Sequence, residues 1–183
     1  MGVRPRLAGD LEQCVRLLAD VHRVDGYPTY WPDDPAGWLS PNGMLGSWVA
    51  YSEGRVVGHV ALAAVRPGPA ADIWSEAAGV PRARLGSTSR LFVAKAARGA
   101  GIGSALLDAA CAEAVGRGLR PVLDVVETNG EAIRLYERRG WRRVHSEPWA
   151  DARGDELTLH YYVSERPDAG RAPRGRLPRT RAG

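Results

Sequence analysis

The chain has 183 residues, 44% of them hydrophobic and 25% charged, an ordinary balance for one soluble globular domain with a sizeable core. Its formal charge of +4 belongs to one end: residues 166–183 hold six arginines and one aspartate, leaving 19 basic and 20 acidic side chains before them. No apolar run approaches the ~20 residues of a membrane span, no signal-peptide core follows Met1, and the cysteines and histidines lack metal-ligand spacing, so a cytoplasmic protein without a metal is expected.

Asp10 with Gln13 three positions on predicts a capped helix start, and Leu11, Cys14, Val15 and Leu18 mark its apolar face as far as Val24. Residues 25–45 predict a loop with a short helical turn near Trp38. Ser47–Tyr51 and Arg55–Val65 predict two strands joined at Glu53-Gly54. Residues 66–86, rich in Pro, Gly and Ala, predict irregular chain anchored by Ile73 and Trp74. A strand over Ser87–Val93 and a helix over Ile102–Val115 follow, the helix closed by Gly116 and Gly118. Val122–Val126 predicts a further strand. Thr128 with Glu131 predicts a second capping box, opening a helix over Gly130–Arg139 that stops at Gly140. Trp141–Val144 and Leu157–Val163 predict closing strands, with Pro148–Asp155 between them. Cys14 and Cys111 lie among apolar neighbours on helices and read as buried thiols. Residues 166–183, built of Arg, Pro, Gly and Ala, cannot bury enough apolar surface to offset their ordering entropy, and read as a disordered tail after a domain spanning 1–165. A solvated extension is the expected state of that tail, ahead of nucleic-acid contact.

The most specific segment is Arg98-Gly99-Ala100-Gly101-Ile102-Gly103, set between a strand and a helix. Glycines there let backbone N–H groups crowd an anion at the positive end of the helix. The dinucleotide pattern G-x-G-x-x-G fails, because the sixth position is Ser104 counted from Gly99 and Leu106 counted from Gly101. The nucleoside-triphosphate pattern fails too, since the single lysine, Lys95, precedes the run.

What remains, Val93-Ala94-Lys95-Ala96-Ala97-Arg98-Gly99-Ala100-Gly101-Ile102-Gly103, resembles the acetyl-CoA loop of the GNAT acetyltransferases, V-x-P-x-x-R-G-x-G-I-G, with Lys95 in place of the usual proline. A second stretch, Asn129, Ala132, Leu135, Tyr136, Gly140 and Trp141, is similar to that family's N-x-x-A-x-x-L-Y-x-x-x-G-F, with Trp141 for Phe. The resemblance covers residues 3–165. It implies an α/β (α+β) fold, a mixed and mainly antiparallel sheet of six to seven strands flanked by about four helices. It also implies an acetyl-CoA-dependent N-acetyltransferase acting on a primary amine, with homodimers common among relatives.

By the same resemblance, the backbone of Leu91, Phe92 and Val93 would pair with the pantetheine arm. The run Arg98, Gly99, Ala100, Gly101, Ile102, Gly103 and Ser104 would hold the pyrophosphate, Arg98 adding charge, and Asn129 would touch the cofactor. Tyr136 would protonate the departing thiolate, whose conjugate acid has a pKa near ~8.5 by analogy with cysteine; read from spacing alone, it is equally a core aromatic. Asp124 stands where some relatives carry a glutamate base, one methylene longer, and a water relay would span the difference. Glu76, Asp72, Glu127 and His59 are weaker base candidates. Tyr27, Tyr30, Trp31 and Asp34, in a loop with Trp38, Asp25 and Asp33, suit a cationic amine or else a cluster that anchors the loop. Two other readings are a silent acetyl-CoA sensor and a nucleic-acid role through the basic tail.

Overall fold

The computed structural model describes residues 1–150 and 154–165; the tail expected from residue 166 onward lies outside them. Seven strands form one sheet: β1 (Gly2–Pro5), β2 (Met44–Ser52), β3 (Arg55–Ala64), β4 (Leu85–Val93), β5 (Arg120–Val126), β6 (Trp141–Ala150) and β7 (Glu156–Ser164), in spatial order β1-β2-β3-β4-β5-β7-β6. Every neighbouring pair is antiparallel except β4 with β5. The helices are α1 (Leu11–Asp25), the single turn α2 (Pro35–Trp38), α3 (Pro69–Ala78), α4 (Ile102–Gly116) and α5 (Gly130–Arg138).

The sheet is covered on both faces. Cys14, Leu17, Leu18 and Val21 of α1 pack on Val49 and Phe92, and Trp74 of α3 packs on Leu85, Val122, Tyr161 and Val163. On the opposite face Ile102, Leu106 and Ala110 of α4 meet Ala50 and Val60, while Leu107, Cys111 and Tyr136 meet Leu123, Val125, Trp141 and Tyr162. Gly58 makes the close seating of α4 possible: a Cβ there would stand 2.8 Å from Leu106 Cδ1 and 3.2 Å from the Phe92 carbonyl oxygen. Both cysteines are buried thiols outside any disulfide, as their apolar neighbours suggested.

Several local expectations give way to the structure. Strand β1 precedes α1, where the sequence reading led straight into a helix. Residues 69–78 form α3, not irregular chain: Pro69 begins it, Gly79 ends it at φ 64°, and Ala71 and Trp74 bury its inner side. Neither expected capping box forms. Asp10 accepts from the Leu7 N–H (2.7 Å) and takes a two-point bond from Arg4 (2.6 and 2.9 Å), while Gln13 Oε1 accepts from the Val56 N–H at 3.2 Å, tying α1 to β3. At α5 the N-cap is Asn129, with no side-chain cap bond. Strand β6 runs through Pro148 to Ala150, because its backbone pairs with β7 as far as Ala150↔Glu156.

Two irregularities in β4 shape the interior. Between the pairs His59↔Phe92 and Ala61↔Ser89, β4 carries one residue more than β3, a bulge in which Arg90 takes φ 54°. Parallel pairing of β4 with β5 covers Leu85↔Arg120 to Ser87↔Val122 and goes no further. Past that point the two strands separate and a cleft opens between them.

Candidate active site

The cleft has a volume of about 1290 Å³ and is walled by the diverging halves of β4 and β5, the turn before α4, and the starts of α3 and α5. Gly99 and Gly101 enter it at φ 81° and 77°, a left-handed backbone that glycine adopts without a Cβ penalty, with open space where each Cβ would stand. Gly101 is the N-cap of α4 and supplies no side-chain cap, and no acidic residue occupies the first turn. The first ladder bond runs from the Ala105 N–H to the Gly101 carbonyl (3.0 Å), so the N–H groups of Ile102, Gly103 and Ser104 lie outside the helix's own hydrogen bonding. A fifteen-residue helix thus presents its positive end to the cleft. Gly103 has a packing duty as well, since a Cβ there would press on Leu135 Cδ2 at 3.3 Å.

Leu91, Phe92, Val93, Arg98, Gly99, Gly101, Ile102, Gly103, Ser104 and Asn129 all line this cleft; Ala100 is not part of the lining. The Arg98 side chain is more committed than its motif position suggested. Its Nε and Nη2 both donate to the Val93 carbonyl (3.2 Å each), it pairs with Asp25 at the end of α1, and Nη1 reaches Glu131 of α5 at 3.5 Å. It therefore fastens α1 and α5 to the end of β4, with much of its charge already balanced. Arg134 and Arg138, which the sequence reading passed over, line the same end of the cleft. Their helical spacing with Gly130, four and four residues apart, was the available signal.

Tyr136 faces the cleft from α5 and is 7% exposed, packed against Trp141 (6.0 Å between ring centres) and Tyr162 (6.2 Å). Burial pushes its phenol well above the usual range, with Tyr27 and Asp124 adding to the shift, so it stays protonated. Asp124 sits on β5 opposite Tyr161. Its carboxylate reaches solvent through the open cleft but is walled by protein, and that desolvation holds its pKa above the ordinary carboxylate range, against a backbone bond and the Arg90 charge. Tyr27, packed on Trp38 and Phe92, also lines the cleft and is likewise pushed up by burial. Core aromatic and cleft phenol are both true of Tyr136: its ring is packed and its side chain reaches the opening.

The remaining acceptor-loop residues lie elsewhere. Trp31 packs on His22 (5.5 Å), Asp34 accepts from the Gly37 N–H to start α2, and Tyr30 is outside the lining. His59 is fully buried, with Nδ1 on the Arg90 carbonyl (3.1 Å) and Nε2 facing Arg6 Nη1 (3.3 Å), and burial lowers its pKa to about 4. With Arg6 as the donor, neutral His59 accepts at Nε2 and donates from Nδ1, and it has no access to a reacting proton. Glu76, Asp72 and Glu127 are not part of the cleft wall.

Comparison with known proteins agrees with this geometry. The pattern described as the Acetyltransferase (GNAT) family matches residues 11–141. No protein of curated function matches the chain. Among solved structures, a ribosomal-protein-alanine N-acetyltransferase from Brucella melitensis is 22% identical, with 90% of this chain and 99% of that one covered at a TM-score of 0.69. A GCN5-related N-acetyltransferase from Kribbella flavida is 26% identical, covering 88% and 95% at 0.65. A putative acetyltransferase from Salmonella typhimurium, determined with its cofactor acetyl-CoA, is 21% identical, covering 89% and 92% at 0.68. With the family pattern spanning most of the chain and the fold shared along nearly all of it, the protein belongs to the GNAT acetyltransferase family.

Proposed function

We infer that the protein transfers an acetyl group from acetyl-CoA directly to a primary amine, within the cleft between β4 and β5. One observation carries this reading: the separation of β4 from β5 places the uncapped α4 terminus, an unpaired stretch of strand and the Tyr136 phenol around one opening. The fit to the donor is physical. The two left-handed glycines leave room for a pyrophosphate against the N–H groups of Ile102, Gly103 and Ser104, and Arg134 and Arg138 add positive charge beside it. The backbone of β4 from Leu91 to Val93, unpaired with β5, offers hydrogen-bonding groups other than the Val93 carbonyl, which Arg98 holds, to an extended arm. When bound, acetyl-CoA supplies the acyl group as a thioester.

Tyr136 holds a proton for the departing sulfur. Its raised pKa keeps it protonated, and the same water-poor wall raises the basicity of a thiolate leaving beside it, so the proton transfer is not penalised by the Tyr136 shift alone. Asp124 receives the proton lost by the amine, directly or through a water, and its raised pKa makes it a better base than a solvated carboxylate. Ser146 is hydrogen-bonded to His160 (2.8 Å) but neither residue lines the cleft, and both cysteines are buried in helices, so direct transfer is preferred to an acyl-enzyme. The test is thiol release from acetyl-CoA across small amines, amino acids, aminoglycosides and peptides, with the acetylated product identified by mass. Release that depends on an amine supports the reading; binding of acetyl-CoA with no release from any amine would make the protein a sensor.

A further inference from the structure

The acetyl-transfer reading, on which this inference rests, leaves one end of the cleft unused. Arg66 after β3, Trp74 of α3, Thr88 and Arg90 of β4 and Asp124 of β5 all line the cleft, and Arg90 lies within electrostatic reach of both Arg66 and Asp124. Cations outnumber acids there. Among the described residues neither arginine belongs to an ion pair, and the Arg90 cation is disfavoured chiefly by desolvation, with Arg66 adding repulsion.

Arg90 is held in place from several sides. The bulge gives it φ 54°, and its carbonyl accepts from His59, which is in turn braced by Arg6. Its Nε donates to the Trp38 carbonyl, Nη1 donates to Ser89 Oγ (2.9 Å), and the guanidinium lies 4.8 Å from the centre of the Trp38 ring. Nη2 has no partner among the described residues. Two further polar atoms are orphaned in the same wall: Trp74 Nε1 and Thr88 Oγ1 are buried without a hydrogen-bond partner, on residues only 4% and 5% exposed. An indole N–H can only donate, and a buried donor left unmade is costly. Guanidinium N–H groups, an indole N–H and a hydroxyl, all on residues that line the cleft, can together serve an anion that accepts several hydrogen bonds at once.

We propose that this end of the cleft binds a carboxylate, so that the acceptor is a small amino acid or close analogue, its amine toward Asp124 and its carboxylate toward Arg66, Arg90, Thr88 and Trp74. A polycationic acceptor would meet two arginines and one acid. The loop carboxylates that suit a cationic amine in the sequence are spent elsewhere: Asp25 on Arg98 and Asp34 on the α2 start, while Asp33 is outside the lining. A peptide N-terminus carries a neutral carbonyl where this site asks for a charge.

Calorimetric titration of the full chain with N-acetyl amino acids and with the matching N-acetyl amino-acid amides reads carboxylate recognition without any turnover. At least one acid is expected to bind about tenfold or more tightly than its amide. Arg66→Ala and the near-isosteric Thr88→Val are each expected to reduce that acid-to-amide ratio several-fold. Equal binding of every pair, binding of neither, or tighter binding of spermidine or an N-acetyl peptide amide would overturn the proposal. Thiol release with the free amino acids is followed separately. An acid preference without turnover would overturn acetyl transfer and leave the carboxylate site standing; turnover of amides or peptides with no acid preference would do the reverse.

Discussion

In the proposed reaction Asp124 and Tyr136 take opposite roles although burial shifts both in the same direction. For each, desolvation penalises the anion, so the phenol keeps its proton and the carboxylate gains affinity for one. A base with a raised pKa loses activity on acidification sooner than a solvated aspartate would. The turnover rate at saturating amine is therefore expected to rise with pH through a range above the normal carboxylate value, and Asp124→Asn should flatten that limb in a pH–rate profile. An unaltered limb in the variant would assign the base elsewhere. His59 has a different consequence. Its folded pKa, about 4, lies below the ordinary value near 6.5, so the unfolded chain binds the proton more readily. Stability from this group is complete above pH ~6.5 and falls as the pH drops toward 4, by roughly 3 kcal/mol. Urea midpoints at pH 7.5 and 4.5 should differ less in His59→Asn than in the parent protein.

At the scale of elements, the turn into α4 was the most legible part of the sequence, because two glycines that need positive φ and an uncapped helix start leave a strong pattern. Gly101→Ala keeps the space open but forces a Cβ into φ 77°, a cost of about 1–2 kcal/mol. It should lower the denaturation midpoint and weaken acetyl-CoA binding together. The elements that escaped the sequence are those whose signals are tertiary. Helix α3 hides behind Pro69 and alanines, and its burial is decided by the sheet beneath Trp74. Strand β1 is four residues long and exists through pairing with β2. The capping boxes failed because Asp10, Gln13 and Glu131 found distant partners, Arg4, Val56 and Arg98, that local spacing does not reveal. In the candidate site the donor half was legible for the same reason as the turn. The proposed acceptor half was not: Arg66, Trp74, Thr88 and Arg90 are scattered over a loop, α3 and β4, and only the fold makes them line one cleft.

For the whole molecule, the described strands pair in one open sheet from β1 to β6, and the cleft opens where β4 and β5 part. The close seating of α4 that positions the donor end depends on Gly58. Gly58→Val should destabilise the fold by several kcal/mol through contact with Leu106 and the Phe92 carbonyl, seen as a loss of cooperative thermal unfolding at the parental temperature. In the proposed reaction, thioester chemistry at this opening runs through Tyr136. The direct measurement is steady-state kinetics of Tyr136→Phe beside a calorimetric titration of the same variant with acetyl-CoA. A fall in kcat of about 100-fold or more, with acetyl-CoA affinity changed less than about threefold, is the predicted result. An unchanged kcat would reduce Tyr136 to a packing residue and contradict the account.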